Sequence, residues 1–546
     1  MRNYVFFGLL CLLLFISLFF WQDVVELLGE EPRRAVVSLE MNLTGDYLVP
    51  KINGMNYYNK PPLFNWIMAS CFTLTGSYEE WVVRLPSLLG WIVLAIVNYF
   101  FVRRFLGSEV AMLSSIFTLT AGDVYFYGTI FSGEIDLFYS LIIYLQILAL
   151  FWFFQKDKRL WMFIVSYALV AIGFLTKGLP SLAFQAMTLL GMAFFYRKWK
   201  WLFSWQHLAG ALFFLLPVGL YYIAYSREAD YQSYLINLIK EASQRSGFES
   251  RPSDFFISLV SFPADLIKLL LPWSVLIVFW FRKGFKSVIL SSDLLRFVAA
   301  FLVFNIPLYW LTGELRNRYV YMFVPFFMMI IASFYVNYRE SMPQIARWAD
   351  TIFRILIILA PLIFLIPLFL PQTRTLHLYW LKCMVLAIAG FICTYLYFIR
   401  WKDKRIYLIV LVMILLRFGI NWFYLPAYQS NDAYVYYEKV AGDIVSLTGD
   451  EKIHFTGEPQ ILEPQVRIGK HHLTTLHFTY PEYIPFQLSY YLERQNKQVL
   501  EFTSLPQPGT YCLGRESFLK GKAFQELYRY SDKRAKADIL LVRMLP

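Results

Sequence analysis

Charge is scarce in this chain: acidic and basic residues together fill 16% of its 546 positions, well below the usage of soluble domains. That shortage argues against a soluble globular enzyme. Cysteine is also thin, and Cys11, Cys71, Cys383, Cys393 and Cys512 include no CxxC pair, which speaks against a disulfide framework or a thiolate metal centre. No Walker glycine-lysine loop and no G-x-G-x-x-G after a soluble strand occurs, so a nucleotide-linked substrate has little support. No small-residue cleavage site follows the apolar run Val5 to Phe20, which therefore reads as a first membrane span rather than a signal peptide.

What fills the space is apolar and aromatic: 58% hydrophobic residues, with 52 Phe, 38 Tyr and 16 Trp. Runs of membrane-spanning length lie near 4–22, 81–102, 107–123, 135–154, 160–175, 181–195, 205–225, 264–281, 293–311, 318–336, 352–371, 380–399 and 405–423. They predict an all-α polytopic membrane domain over 1–423 with about 13 transmembrane helices. The runs 160–175 and 181–195, divided by little more than "TKGLP", read either as two spans or as one broken element. The formal charge of +12 comes largely from basic residues between runs, where they fix orientation and do not call for nucleic acid. Arg103 and Arg104, Lys156 to Arg159, Arg197 to Lys200, Arg282 to Lys286 and Arg400 to Arg405 then fall on one face. The positive-inside rule makes that face cytoplasmic. The N-terminus is thereby expected inside, with a long first loop at 23–80 and another at 226–263 outside.

Residues 424–546 change character, with strand-like "EKIHFTG", "QVLEFTS" and "ADILLVRML" and a helix-like "PFQLSYYLERQ". They predict a small extracytoplasmic α/β domain. His454, His471, His472 and His477 there lack an accompanying acidic or thiol set and read as surface histidines.

Chemistry-bearing residues gather on the outer face. In "LLGEEPRRAVVSLEM", Pro32 suits the first turn of an amphipathic interfacial helix with Glu30 and Glu31 at its N-terminal end. These carboxylates read either as functional groups or as a solvated helix start paired with Arg33 and Arg34. "YYNKPPLFNW" sets Tyr57, Tyr58 and Lys60 before two prolines; its ammonium suits a lipid phosphate, and snorkelling beside an aromatic belt is the alternative. Glu134 and Asp136 open the run at 135–154, where an ionisable group is a functional candidate by default. Lys177, Arg245, Arg316, Arg318 and Tyr319 place cations and an aromatic on the face disfavoured for positive charge, which an anionic lipid phosphate would explain.

In order, "GEEPRRA", "GDYLVPKINGMNYYNKPPLFNW", "GEIDLFYS", "LTKGLPSLAF", "LLPW" and "NRYVYMFVP" resemble the GT-C membrane glycosyltransferases that use polyprenyl-phosphate sugars. The resemblance covers roughly residues 20–330. It points to the protein mannosyltransferase superfamily, close to the bacterial undecaprenyl-phosphate-aminoarabinose transferases that modify lipid A. It implies a GT-C fold, an inner-membrane location, and inverting transfer of a glycosyl group from a polyprenyl-phosphate donor to a lipid or glycan acceptor. The family's Asp-Glu pair falls on Glu30 and Glu31, its arginine on Arg33, its lysine on Lys60, its acidic residue on Asp136 and its tyrosine on Tyr319. Glu30, Glu31 and Asp136 are thus the implied catalytic carboxylates. Arg33, Tyr57, Tyr58, Lys60, Glu134, Lys177, Arg245, Arg316, Arg318 and Tyr319 are the candidate substrate-binding residues.

Three positions depart from the pattern. Glu stands at 30 where Asp is usual, Arg at 34 where Tyr is usual, and Asn59 replaces a glutamate that helps hold a metal in the aminoarabinose branch, leaving a divalent metal open. The remaining partners expected are membrane lipids, with no nucleic acid and a monomeric chain. A flippase of polyprenyl-linked glycans or a protein O-glycosyltransferase are the competing readings; a flippase would call for paired internal repeats, which the sequence does not show.

Overall fold

The computed structural model describes residues 2–126, 132–245, 252–281, 285–310, 316–339, 346–429, 436–457, 459–462, 467–468, 471–472, 478–481, 485–532 and 537–546. Among the described residues, nine helices are long and apolar enough to cross a membrane: Glu80–Leu106, Ile135–Gln155, Arg159–Lys177, Trp205–Tyr225, Asp293–Trp310, Asn317–Tyr338, Trp348–Leu368, Tyr379–Arg400 and Arg405–Ala427. The protein is a multi-pass membrane protein. Three more of the thirteen expected runs fall on shorter apolar helices, Phe6–Phe19, Ser108–Leu119 and Pro180–Phe195.

The run at 264–281 differs from expectation. It is divided between the end of a helix, Pro252–Leu269, and a 3-10 segment, Trp273–Phe281. Pro272 has no N–H to continue the helical ladder. The Leu271 carbonyl, past the end of that helix, accepts from the Gly122 N–H at 2.7 Å. That approach requires glycine, since a Cβ at position 122 would stand 2.6 Å from the Leu271 oxygen. At "TKGLP" the chain forms two helices, Arg159–Lys177 and Pro180–Phe195, with Gly178 at φ +90° closing the first, and only the first is of spanning length.

Outside the bundle, the loop helix Glu31–Thr44 starts on Pro32 as expected and ends on a left-handed Gly45. Its apolar side is covered by protein. Ala35, Val36, Val37 and Leu39 are all fully buried, in one core with Phe64 and Met68 of the helix Leu63–Thr75 and Leu488 and Leu492 of the helix Phe486–Asn496. The C-terminal domain covers the face that a lipid interface would otherwise have to take.

That domain is a five-stranded sheet in the order Phe524–Asp532, Ala537–Met544, Tyr511–Arg515, Ile453–Thr456, Glu501–Thr503. Ile453–Thr456 runs parallel to both of its neighbours and the other pairings are antiparallel. Helices Tyr437–Thr448 and Phe486–Asn496 contribute Ala441, Ile444 and Leu488 to its core beside Phe455, Ile539 and Leu541. The three strand-like runs and the helix read from sequence are all present. Strands 471–472 and 467–468 pair with each other, and His477 lies outside the described residues.

Two buried carboxyls join the first loop to this domain. Glu40 accepts the backbone N–H groups of Asn53 and Gly54, Glu493 accepts the Leu500 N–H at 3.1 Å, and the two side chains share a hydrogen bond. Burial pushes Glu40 up to about 7, and burial together with the neighbouring Glu40 charge pushes Glu493 well above the usual carboxyl range. A carboxyl raised on folding stabilises the folded state at pH below its ordinary value, and that contribution is lost as pH rises through the folded value. Between the ordinary value of 4.5 and about pH 7 Glu40 therefore costs the folded protein about 1.4 kcal/mol per pH unit, for the proton the unfolded chain has lost and the folded chain retains. The thermal midpoint of the protein should fall as pH rises from about 4.5 to 7, and Glu493→Gln, which keeps the hydrogen bond without the charge, should flatten that fall. An equal fall in both proteins would show that another group controls it.

Candidate active site

Helix polarity brings the charged groups together. Asp136 lies in the first turn of Ile135–Gln155, Glu31 in the first turn of Glu31–Thr44, and Lys177 in the last turn of Arg159–Lys177, each with the charge its helix end favours. Lys177 Nζ meets Asp136 Oδ1 at 2.5 Å, both side chains nearly fully buried. The same ammonium stands 5.0 Å from the Tyr139 ring centre and 4.9 Å from that of Tyr319. Arg318 closes the cluster by pairing with Glu134 and approaching Asp136 Oδ2 at 3.8 Å. Burial raises the Glu134 carboxyl, with Arg318 opposing the rise and Asp136 adding to it.

The first loop reaches this cluster through its backbone. Gly29 has φ +63°, and a Cβ there would stand 3.2 Å from Glu134 Oε1, so the chain passes directly over the acidic pair. Glu30 follows, its side chain 34% exposed and 3.0 Å from Arg33 Nη1. Burial alone would raise its carboxyl, but Arg33, Arg34, Arg318 and Arg316 together hold it below the usual range. The guanidinium of Arg33 also lies 5.3 Å from the ring centre of Phe486 in the C-terminal domain.

Glu31 points the other way. Its side chain has no exposure and pairs at 2.7 Å with Arg84, itself 1% exposed. The Gly133 N–H at 2.8 Å and the Leu28 N–H at 3.0 Å complete its oxygens. Arg84 spends its remaining N–H groups on the carbonyls of Gln22, Val25 and Glu26.

Lys60 and its neighbours are held by the helix Tyr231–Arg245 of the loop at 226–263. Tyr234 donates to the Lys60 carbonyl at 2.6 Å, and Asn237 donates to the Tyr58 carbonyl at 3.1 Å and to Asn59 Oδ1 at 3.2 Å. Lys60 is buried, Tyr58 packs edge-on to Tyr234, and Tyr57 is buried with the Arg34 guanidinium 5.7 Å from its ring centre. Arg245 ends that helix, and its side chain lies outside the described residues. Among the described residues no group of three His, Cys, Asp or Glu side chains converges as a metal site, and the Asn59 oxygen is engaged by Asn237. An amide at position 59 with its oxygen so engaged does not fit the carboxylate ligand role.

An open cleft of about 450 Å³ lies beside the cluster, lined by Asp123, Glu134, Lys268, Arg316, Asn317, Arg318 and Tyr321. Asp123 accepts from Asn317 at 2.8 Å and from Tyr321 at 2.5 Å. Sequence reading missed Arg84, Asp123 and Lys268. The signal for the first was present: an arginine in "WVVRLPSLLG", inside a membrane run, demands a carboxylate partner.

Residues 59–222 match the family model described as dolichyl-phosphate-mannose-protein mannosyltransferase. The chain is 25% identical over 265 residues to an undecaprenyl phosphate-alpha-4-amino-4-deoxy-L-arabinose arabinosyl transferase of Edwardsiella ictaluri, covering 47% of this chain and 46% of that one. A protein of the same name from Aeromonas hydrophila is 25% identical over 350 residues, 61% of this chain and 62% of its own length. The chain thus spans about half the length of the first curated relatives it matches. The crystal structure of ArnT from Cupriavidus metallidurans bound to undecaprenyl phosphate superposes with a TM-score of 0.68 at 15% identity, covering 98% of each chain. The fold is therefore that of ArnT, and the likeness read from the sequence motifs to the aminoarabinose branch is borne out.

Proposed function

We propose that this GT-C-type chain transfers a glycosyl group from a polyprenyl-phosphate sugar to a lipid or other envelope acceptor at the outer face of the inner membrane. The named relatives and the undecaprenyl phosphate bound in the structurally similar ArnT support the donor class. The observation that carries the reading is the meeting of Asp136, Lys177, Glu134 and Arg318 under the Gly29–Glu30 turn. Such a cluster offers cations for a leaving phosphate and carboxylates to orient the incoming group. With the cationic loops inside, the cluster and the C-terminal domain face the periplasm.

A polyprenyl phosphate is already a stable anion when it leaves, so clamping it matters more than protonating it. Lys60, Lys177 and Arg318 are the groups for that clamp, with Arg316 beside it. Tyr319 backs Lys177, and Tyr57 and Tyr58 shape the wall next to Lys60. Glu30, kept ionised by four arginines, is a weak base and a strong fixed charge. Its role is to orient the nucleophile and to stabilise positive charge developing at the anomeric carbon. Arg33 holds it in place, Asp136 positions Lys177, and Glu31 anchors the loop through Arg84.

Glu30→Gln keeps the shape and removes the charge. Its kcat should fall about 10²-fold or more with an unchanged thermal midpoint. Full activity in a folded Glu30→Gln protein would contradict the role. Because the carboxyl is held below its ordinary range, the wild-type enzyme should keep this carboxylate charged, and its activity intact, down to the ordinary carboxyl value near 4.5.

A further inference from the structure

The ends of the membrane helices on the face that the positive-inside rule assigns to the cytoplasm gather their cations on tryptophans. In the last turn of Glu80–Leu106, the Arg104 guanidinium stands 4.7 Å from the ring centre of Trp152, and the Lys156 ammonium stands 4.2 Å from the same ring. Three residues on, Arg159 stands 4.6 Å from the ring centre of Trp201, which also holds Lys198 at 5.3 Å. Phe154, 5.7 Å from Trp201, joins the two units. Each ring thus draws two like charges together, and none of the four cations makes an ion pair among the described residues. Of the carboxylates on this face, Glu109 pairs with Arg339, Asp293 with Arg296 and Asp350 with Arg354, while Asp157 is exposed and joins no ion pair among the described residues. Apolar rings lie open beside the charges: Phe100, four residues before Arg104 on the same helix face, is 64% exposed, and Phe203, two residues past Trp201, is 89% exposed.

We propose that these two tryptophan-centred units form a binding site for anionic phospholipid of the inner leaflet, with its phosphate held between Arg104 and Lys156 and between Arg159 and Lys198. Two cations on one ring repel each other, and an anion between them turns that repulsion into two charge-assisted bonds. Basic residues at the cytoplasmic ends of membrane helices attract anionic headgroups, and the open rings of Phe100 and Phe203 offer the acyl chains an apolar contact that a soluble anion could not use. The site spans several elements. Arg104 ends one membrane helix, Lys156 and Arg159 flank the turn between Ile135–Gln155 and Arg159–Lys177, and Trp201 belongs to the 3-10 segment Trp199–Phe203. A bound headgroup therefore braces the inner end of the helix pair whose outer ends carry Asp136 and Lys177. The assignment concerns lipid binding alone and stands apart from the transferase reading.

The test measures phosphatidylglycerol bound to the purified full-length protein by native mass spectrometry, with zwitterionic phosphatidylethanolamine as the comparison. Phosphatidylglycerol should bind in preference. Arg104→Gln combined with Arg159→Gln should weaken its binding about 10- to 30-fold, and Arg104→Lys combined with Arg159→Lys should keep most of it. Arg103→Gln combined with Arg197→Gln removes the same charge from the same face, from side chains that stack on no ring among the described residues, and should leave binding within about 2-fold of the wild type. In nanodiscs, adding phosphatidylglycerol to phosphatidylcholine should raise the thermal midpoint of the wild type and of the Arg103 and Arg197 variant, and not that of the Arg104→Gln and Arg159→Gln variant. Equal binding of the two headgroups by the wild type, or an equal loss in the two glutamine pairs, would overturn the site and leave only a diffuse charge effect. Preference for a polyprenyl monophosphate over phosphatidylglycerol would overturn the assignment to a membrane phospholipid. Should the Arg104→Gln and Arg159→Gln protein fail to fold, Trp152→Leu decides: weaker phosphatidylglycerol binding than in the wild type supports the site, and equal binding refutes it.

Discussion

Arg318→Ala should lower kcat for sugar transfer about 10²- to 10³-fold, or roughly 2.7–4 kcal/mol of transition-state stabilisation. Arg318 pairs with Glu134, approaches Asp136 and borders the cleft. Its removal withdraws a cation from developing phosphate charge and leaves the Glu134 carboxylate, already raised by burial, without its ion-pair partner. Arg318→Lys retains the charge but not the planar fork, and should recover only part of the rate. Steady-state kinetics of both variants, beside a thermal melt to exclude unfolding, checks this. An Arg318→Ala protein with near-normal kcat would place the reaction elsewhere.

Arg84→Ala should cost about 3–5 kcal/mol of stability, the usual result of breaking a buried ion pair and stranding one charge. Here the stranded charge is Glu31, fully buried under the first loop. Arg84 also gathers three carbonyls from 22–26, so its loss releases the connection between the first apolar helix and the loop helix. Replacing both partners, Arg84→Met with Glu31→Leu, should recover much of the stability because no charge is then left unpaired. Activity should not return in step, since the Gly133 N–H also depends on Glu31 and sits next to Glu134. Denaturant or thermal unfolding of the single and double variants measures the difference. A single variant as stable as the wild type would remove Glu31 and Arg84 from the scaffold.

Composition and run length made the membrane architecture legible, and most helix positions followed from the 17- to 22-residue apolar runs. The run at 264–281 failed because hydropathy registers apolar content and not the interruption at Pro272 or the packing of Gly122 against Leu271. The candidate site was legible as a set of charges on the wrong face for cations, and Asp136, Glu134, Lys177 and Arg318 do converge. What the chain could not display was direction. Glu30 and Glu31 are adjacent in "LLGEEPRR", yet one lies among four arginines and the other turns inward to Arg84, a difference set by a partner 53 positions away. Asp123 and Tyr321 meet across 198 positions, which no local pattern announces. The amphipathic face of Glu31–Thr44 was read correctly as apolar, but its cover is the helix Phe486–Asn496 rather than lipid.

Glycosyl transfer with departure of the lipid phosphate is tested by following both products at once. Purified full-length protein in liposomes would receive a polyprenyl-phosphate donor carrying a labelled sugar, together with a lipid A acceptor. Label should appear on the acceptor in step with release of free polyprenyl phosphate, and Glu30→Gln should suppress both. Movement of the intact sugar-linked lipid across the bilayer with no release of polyprenyl phosphate would contradict it and identify a transporter instead.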